Sequence, residues 1–173
     1  MFFTFGPFVL IKLYGMDTKD IALLFGVSAF LTALWGGRLI GRLTDLWGYR
    51  NVMVWDTVIL SFVCILYGFA KDIFPAKIAV AVACVNYVID AILSNASIAT
   101  NLYARTLSDS QEELTATLSS GISVNHVITV FYAIFGGWVF DRYGAGVLFA
   151  SAAVLALANS AFALTVPKPA SRK

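Results

Sequence analysis

The chain is 173 residues long, 60% hydrophobic and 13% charged, with a formal net charge of +2. A soluble domain carries about 25% charged residues, and one core of this size has no room for so much apolar surface. The mean hydropathy of +0.82 therefore indicates an integral membrane protein, and the small, scattered charge excludes a nucleic-acid partner.

Apolar runs and polar punctuation set the elements in chain order. Met1 to Ile11 is apolar but only eleven residues long before Lys12, whereas a bilayer core needs about 20 helical residues. No basic segment precedes it, which argues against a secretory signal, so it reads as the tail of a helix whose beginning is missing. After the loop KLYGMDTKD, Ile21 to Ile40 forms a full span, Asn51 to Ala70 a second and Ile78 to Thr100 a third. Ser110 and Glu113 have the spacing of a capping box, marking a helix that starts at Gln111 and runs to Val139. A last span, Val147 to Val166, follows DRYGAG, and the tail KPASRK is polar and expected to fray. No strand alternation of barrel type persists. The fold predicted is all-α: a polytopic transmembrane helix bundle of five full spans plus one partial N-terminal span.

Smaller features fit that frame. Cys64 and Cys84 fall in apolar runs and are expected to be reduced, packed thiols. Gly37 and Gly41 have the GxxxG spacing of a close helix approach, and Trp35, Trp47 and Trp138 suit interfacial anchors.

Chemistry is sought among polar residues inside the spans. Asn86, Asp90, Ser94, Ser97 and Asn101 step by four, four, three and four, a single stripe on one helix. Thr115, Ser119, Ser123, His126 and Thr129 form a second stripe, with Asn125 beside His126. Asp90 and His126 both fall near mid-span. An aspartate at that depth costs about 2.5 to 3.5 kcal/mol on insertion scales, so it faces a partner or a water-filled path. Asp90 is the leading candidate, read either as a functional group or as a structural tie to Asn86. His126 is either its partner in a coupled proton site or a satisfied helix contact. The candidate pathway is Asn86, Asp90, Ser94, Asn125 and His126. Asp56, near the end bearing Arg50, reads first as a local partner of Arg38 or Arg42 and second as a substrate contact.

One charged turn organises the rest. GRLTDLWGYR, Gly41 to Arg50, is echoed by GGWVFDRYGAG, with Asp45 and Asp141 separated by 141 − 45 = 96 residues, or three helices and their loops. Three-helix repeats crossing in opposite senses are a known construction of secondary transporters; solvation at membrane exits is the alternative cause. Gly41, Leu43, Asp45, Gly48 and Arg50 resemble the signature loop after the second helix of a three-helix unit in the major facilitator superfamily. The sequence departs at Leu46 and Tyr49, where basic residues are usual, and Arg42 supplies charge one turn earlier. The resemblance covers residues 1–173 and implies the carboxyl-terminal half, from the end of helix seven through helix twelve, with the amino-terminal half absent. It also implies inverted repeats, a gating loop of Gly41, Arg42, Asp45, Gly48 and Arg50 in which Asp45 latches one face, and a plasma (cell inner) membrane location.

Secondary active transport of a small solute by alternating access follows from the resemblance, driven by protons, by another ion or by the solute's own gradient. The expected partners are the lipid bilayer, the solute and the missing half. A non-transporting assembly module and a small homo-oligomeric channel are readings of other classes. With the Gly41 to Arg50 loop in the cytoplasm, Arg38, Arg42, Arg50, Arg105, Lys168, Arg172 and Lys173 lie inside and Lys12, Lys19, Lys71, Lys77 and Arg142 outside, the direction of the positive-inside rule. No GxSxG, HExxH or phosphate-binding glycine loop is present, and there is one histidine. No enzyme activity, cofactor or metal site is expected.

Overall fold

A computed structural model describes residues 2–167, so the tail with Lys168, Arg172 and Lys173 lies outside the described residues. Every regular element among the described residues is helical. Helix α1 is Phe2–Lys12, α2 is Thr18–Trp47, α3 is Tyr49–Ile73 and α4 is Ala76–Leu107. Two of these contain irregular turns: a π turn over Thr32–Gly36 in α2 and a 3-10 turn over Ser94–Ala96 in α4. The last run, Gln111–Ala163, breaks at Gly144 (φ 83, ψ 177) into α5, residues 111–143, and α6, residues 145–163. Four helical runs, α2, α3, α4 and Gln111–Ala163, are long and apolar enough to cross a membrane.

The helices run past the apolar segments that announced them. Gly41 to Trp47 stays helical, and the reversal into α3 is taken up by Gly48 alone, at φ 80 and ψ 153. Likewise α5 continues beyond Val139 to Tyr143 and reverses at Gly144. The cause is simple. Charged side chains are tolerated in helical turns that have left the hydrocarbon, whereas this backbone conformation is open only to a residue without Cβ. Charge marks where the apolar span ends; glycine marks where the helix ends.

The break at Gly144 makes a hairpin. The hydroxyls of Tyr132 and Ser151 are 3.4 Å apart, yet nineteen residues of straight helix would separate them by about 28 Å. Helix α6 then returns antiparallel along α3: Tyr67 packs on Phe149 with ring centroids 5.0 Å apart, and Ser160 donates to the Val54 carbonyl at 3.4 Å. At Gly68 the two helices touch so closely that an added Cβ would lie 2.8 Å from the Cβ of Phe149. The expected Gly37–Gly41 approach is not made, since a Cβ at either position meets nothing within 4 Å. The packed face of this stretch of α2 is that of Gly36, Ile40 and Thr44, to one side of both glycines.

Short as it is, α1 lies in the core. Val9 and Leu10 are fully buried, and the Tyr67 hydroxyl donates to the Gly6 carbonyl at 2.7 Å. Phe5 packs against Gly136 of α5 and Gly6 against the Tyr87 ring of α4. Cys64 is buried and Cys84 half-buried, both as free thiols.

Candidate functional site

Helix ends α2, α4 and α5 meet around a recess of about 410 Å³ lined by Gly41, Thr44, Asp45, Asn101, Arg105 and Leu118, among others. Thr44 is held inward by donating to the Ile40 carbonyl at 2.8 Å, which leaves Asp45 on the exposed rim. Arg105 lines the same recess without forming an ion pair with Asp45. Arg50 points elsewhere and donates to the Leu164 carbonyl at 2.6 Å, just past the end of α6. A cation on the last carbonyls of a helix satisfies groups that have no partner within it. Of the five loop residues, then, Gly41 and Asp45 line the recess, Arg42 is exposed, Gly48 makes the turn and Arg50 caps α6.

Inside the span, the stripe of α4 is graded in exposure. Asn101, Ser97 and Ser94 are exposed, Asp90 is half-buried and Asn86 is only 3% exposed. Ser94 donates to the Ala91 carbonyl at 2.7 Å, where the helix tightens into its 3-10 turn. Opposite that turn lies the π turn of α2, and a Cβ on Gly36 would be 2.6 Å from the Asn95 side-chain nitrogen. Two polar atoms here are enclosed without a hydrogen-bond partner, Thr32 Oγ1 and Asn86 Nδ2. Such orphans are rare, because each forfeits the hydrogen bond it had in water.

Asp56 of α3 belongs with this group. The sequence reading paired it with Arg38 or Arg42, but it forms no ion pair with either. Like Asp90, it is half-buried. Neither carboxyl accepts a hydrogen bond from a described residue. Arg38 and Arg42 both stand exposed on α2, away from the half-buried carboxyl.

His126 and Asn125 are placed apart from Asp90. Both are exposed on α5, and no hydrogen bond or ion pair joins His126 to Asp90. Thr129 and Ser123 close back on their own helix, donating to the carbonyls of Asn125 and Ser119 at 2.7 and 2.9 Å.

At the opposite end of the bundle Tyr14, in the turn after α1, donates to the Tyr67 carbonyl at 3.2 Å. Burial, and then the nearby charge of Asp72, push the Tyr14 phenol above its ordinary value of 10.0. Among the described residues no group of three or more His, Cys, Asp or Glu is placed to hold a metal ion. Comparison of the chain with family models, with curated proteins and with solved structures found no match.

Proposed function

We propose that the chain is the carboxyl-terminal half of a secondary active transporter that moves a small solute by alternating access, with protons as the coupling ion. The observation that carries this reading is the polar stripe of α4 within the spans, which runs from exposed Asn101 to the half-buried carboxyl of Asp90 and the enclosed Asn86; a carboxyl at that depth serves an ion or substrate path by default, and Asp56 of α3 is a second half-buried one. Water reaching them alternately from each side would load and release a proton.

The surrounding geometry supports the same function. The stripe from exposed Asn101 to buried Asn86 gives a polar route to Asp90 from the recess that holds Asp45. Irregular turns face each other at Thr32–Gly36 and Ser94–Ala96, and interrupted helices at membrane depth recur where transporters bind their cargo. Asp45 and Arg105, across one recess, are placed to act as the latch of that face. Gly41, Arg42, Gly48 and Arg50 complete the gate. Asn125 and His126 join the pathway once the complementary half encloses α5.

In this reading α2 to α6 are five crossings, the shortest being α6, whose nineteen residues span about 28 Å. Matching conformations at Gly48 and Gly144, φ 80 and 83 and 144 − 48 = 96 residues apart, support the inverted repeat. The site of action is the plasma membrane.

Reconstitution in liposomes tests the function. This chain alone gives no saturable uptake, and adding the complementary half restores it. Asp56→Asn and Asp90→Asn each abolish proton-driven accumulation while leaving solute exchange, which needs no net proton movement. Normal accumulation by both variants at equal expression would remove the proton pair. Saturable uptake by this chain alone would replace the half-transporter with a homo-oligomeric channel.

A further inference from the structure

Where α5 runs out towards the break at Gly144, it forms with α1 a second recess, of about 240 Å³, lined by Phe5, Phe8, Gly137, Phe140 and Asp141. It is distant from the recess of Asp45: Leu118, which lines that one, stands nineteen residues before Gly137 on the same helix, about 28 Å away. Phe5 and Phe8 are a turn apart on α1, and Phe140 and Asp141 lie three and four residues after Gly137, so each set shares one helix face. The Phe8 and Phe140 rings meet edge to face with centroids 5.0 Å apart. Phe5 is buried, its ring set so near Gly136 that a Cβ there would come within 2.9 Å. Gly137 differs, because a Cβ on it meets nothing within 4 Å. Its missing side chain adds to the volume of the recess.

Three phenyl rings and one carboxylate restrict what this volume can take. Asp141 is exposed, and its carboxylate forms no ion pair and accepts no hydrogen bond from a described residue. Its charge repels anions. The rings have neither donor nor acceptor, so a hydroxyl-rich or primary ammonium ligand would leave polar groups unmatched. A hard cation such as calcium takes about six to eight oxygen ligands, and one carboxylate falls far short. A quaternary ammonium suits both kinds of wall, since it carries a full charge and no N–H, and both aromatic rings and a carboxylate attract it. The first of those attractions already operates here, with the Lys12 ammonium 5.9 Å from the Phe8 ring centroid. Size agrees as well. Drug-sized ligands occupy about 300 to 1,000 Å³, whereas 240 Å³ is the scale of a trimethylammonium head.

We infer that the recess between α1 and the end of α5 binds a quaternary ammonium group, with Phe5, Phe8 and Phe140 against its methyl groups and Asp141 as its counter-ion. The inference does not depend on the transporter reading. Asp141 follows the last apolar residues of α5, at the level where water and lipid heads meet, so the group is carried either by a soluble molecule such as choline or by the head of phosphatidylcholine. The trimethylammonium chemistry is common to both.

The probe is choline, titrated into the full chain in dodecyl maltoside, an uncharged detergent, and followed by saturation transfer to its methyl protons. Its neutral analogue, with tert-butyl in place of trimethylammonium, is the comparison. Choline binds saturably and about fivefold or more tighter than the analogue, which has the shape without the charge. Asp141→Asn weakens choline about fivefold and leaves the analogue unchanged, and Phe8→Leu weakens it about two- to fivefold. Gly137→Leu, which fills the recess from a position where a Cβ meets no neighbour, abolishes binding. Asp141→Asn keeps the wild-type unfolding midpoint in sodium dodecyl sulfate, so its loss of binding is local. Equal affinity for choline and the analogue overturns the inference, as does the absence of saturable choline binding. Choline binding unchanged in both Asp141→Asn and Gly137→Leu overturns it too. Phosphatidylcholine added to the micelles separates the sources: displacement of choline, with phosphatidylglycerol as the inert control, assigns the site to the lipid head, and persistence assigns it to the soluble cation.

Discussion

Gly68→Ala gives the sharpest test of the α3–α6 contact around which the bundle is built. The new methyl would lie 2.8 Å from Phe149 Cβ, 3.5 Å from Gly146 Cα and 3.6 Å from the Ala145 carbonyl oxygen. Carbon atoms rest at about 3.5 to 4.0 Å, so the helices must separate by roughly 1 Å. No rotamer change relieves the clash, because the atom struck is fixed to the Phe149 backbone. Phe149 is fully buried and packs on Tyr67, so the separation loosens the contact between the two largest fully buried side chains. Overpacking of this kind costs about 1 to 3 kcal/mol, roughly a 5- to 150-fold loss in the folded ratio at about 1.4 kcal/mol per decade. Unfolding by sodium dodecyl sulfate in mixed micelles measures it. Gly37→Ala is the control, since its methyl meets nothing within 4 Å and alanine favours the helix by up to about 1 kcal/mol. A double-mutant cycle isolates the clash: Gly68→Ala costs less in a Phe149→Gly background, where the struck Cβ is gone, than in a Phe149→Ala background, where it remains. If Gly68→Ala unfolds at the same detergent fraction as Gly37→Ala, the close α3–α6 packing is wrong.

Three further outcomes follow from single residues. Alanine at Gly48 or Gly144 is forced to φ 80 or 83, a strain of about 1 to 3 kcal/mol that lowers the unfolding midpoint, whereas alanine at Gly121, in open space on α5, does not. Ser110 accepts from the Glu113 amide at 3.1 Å and Glu113 in turn accepts from the Asp109 amide at 2.9 Å, so Ser110→Ala weakens the start of α5 by about 1 kcal/mol; hydrogen exchange of residues 111 to 114 rises about fivefold. The Tyr14 phenol, raised first by burial and then by Asp72, holds its proton more tightly when folded than when unfolded. Its contribution is therefore intact below pH about 10 and is lost as pH climbs through the raised value. Tyr14→Phe flattens the fall in stability measured as pH rises above about 10, and an unchanged slope there would exclude Tyr14 as its source.

What the sequence conveyed about this fold divides along a physical line. Features set by neighbours in the chain were legible: the apolar runs became helices, and Ser110 caps the Glu113 amide as its spacing requires, while the Glu113 carboxylate reaches back to the Asp109 amide instead of that of Ser110. Helix ends were less so, because hydropathy reports where hydrocarbon stops while the helix continues through charged turns to Gly48 and Gly144. Features set by rotation and partner were not legible at all. Asp56 lies eleven residues before Tyr67, within about 20° of it around the helix, so it shares a face with a fully buried residue. That relation was in the sequence, but nothing in α3 alone says which face turns inward. The close glycines illustrate the same limit: Gly37 and Gly41 had the expected spacing and touch nothing, whereas Gly36, Gly68 and Gly136, with no pattern among them, make the tight contacts. Spacing fixes which residues share a face, and packing alone decides what that face meets. The polar groups show the consequence for function. Asp90 was singled out from its depth, which the sequence states; Asp56 was read first as a partner of Arg38 or Arg42, and neither pair is formed, because which face of α3 meets which neighbour is a property of the bundle.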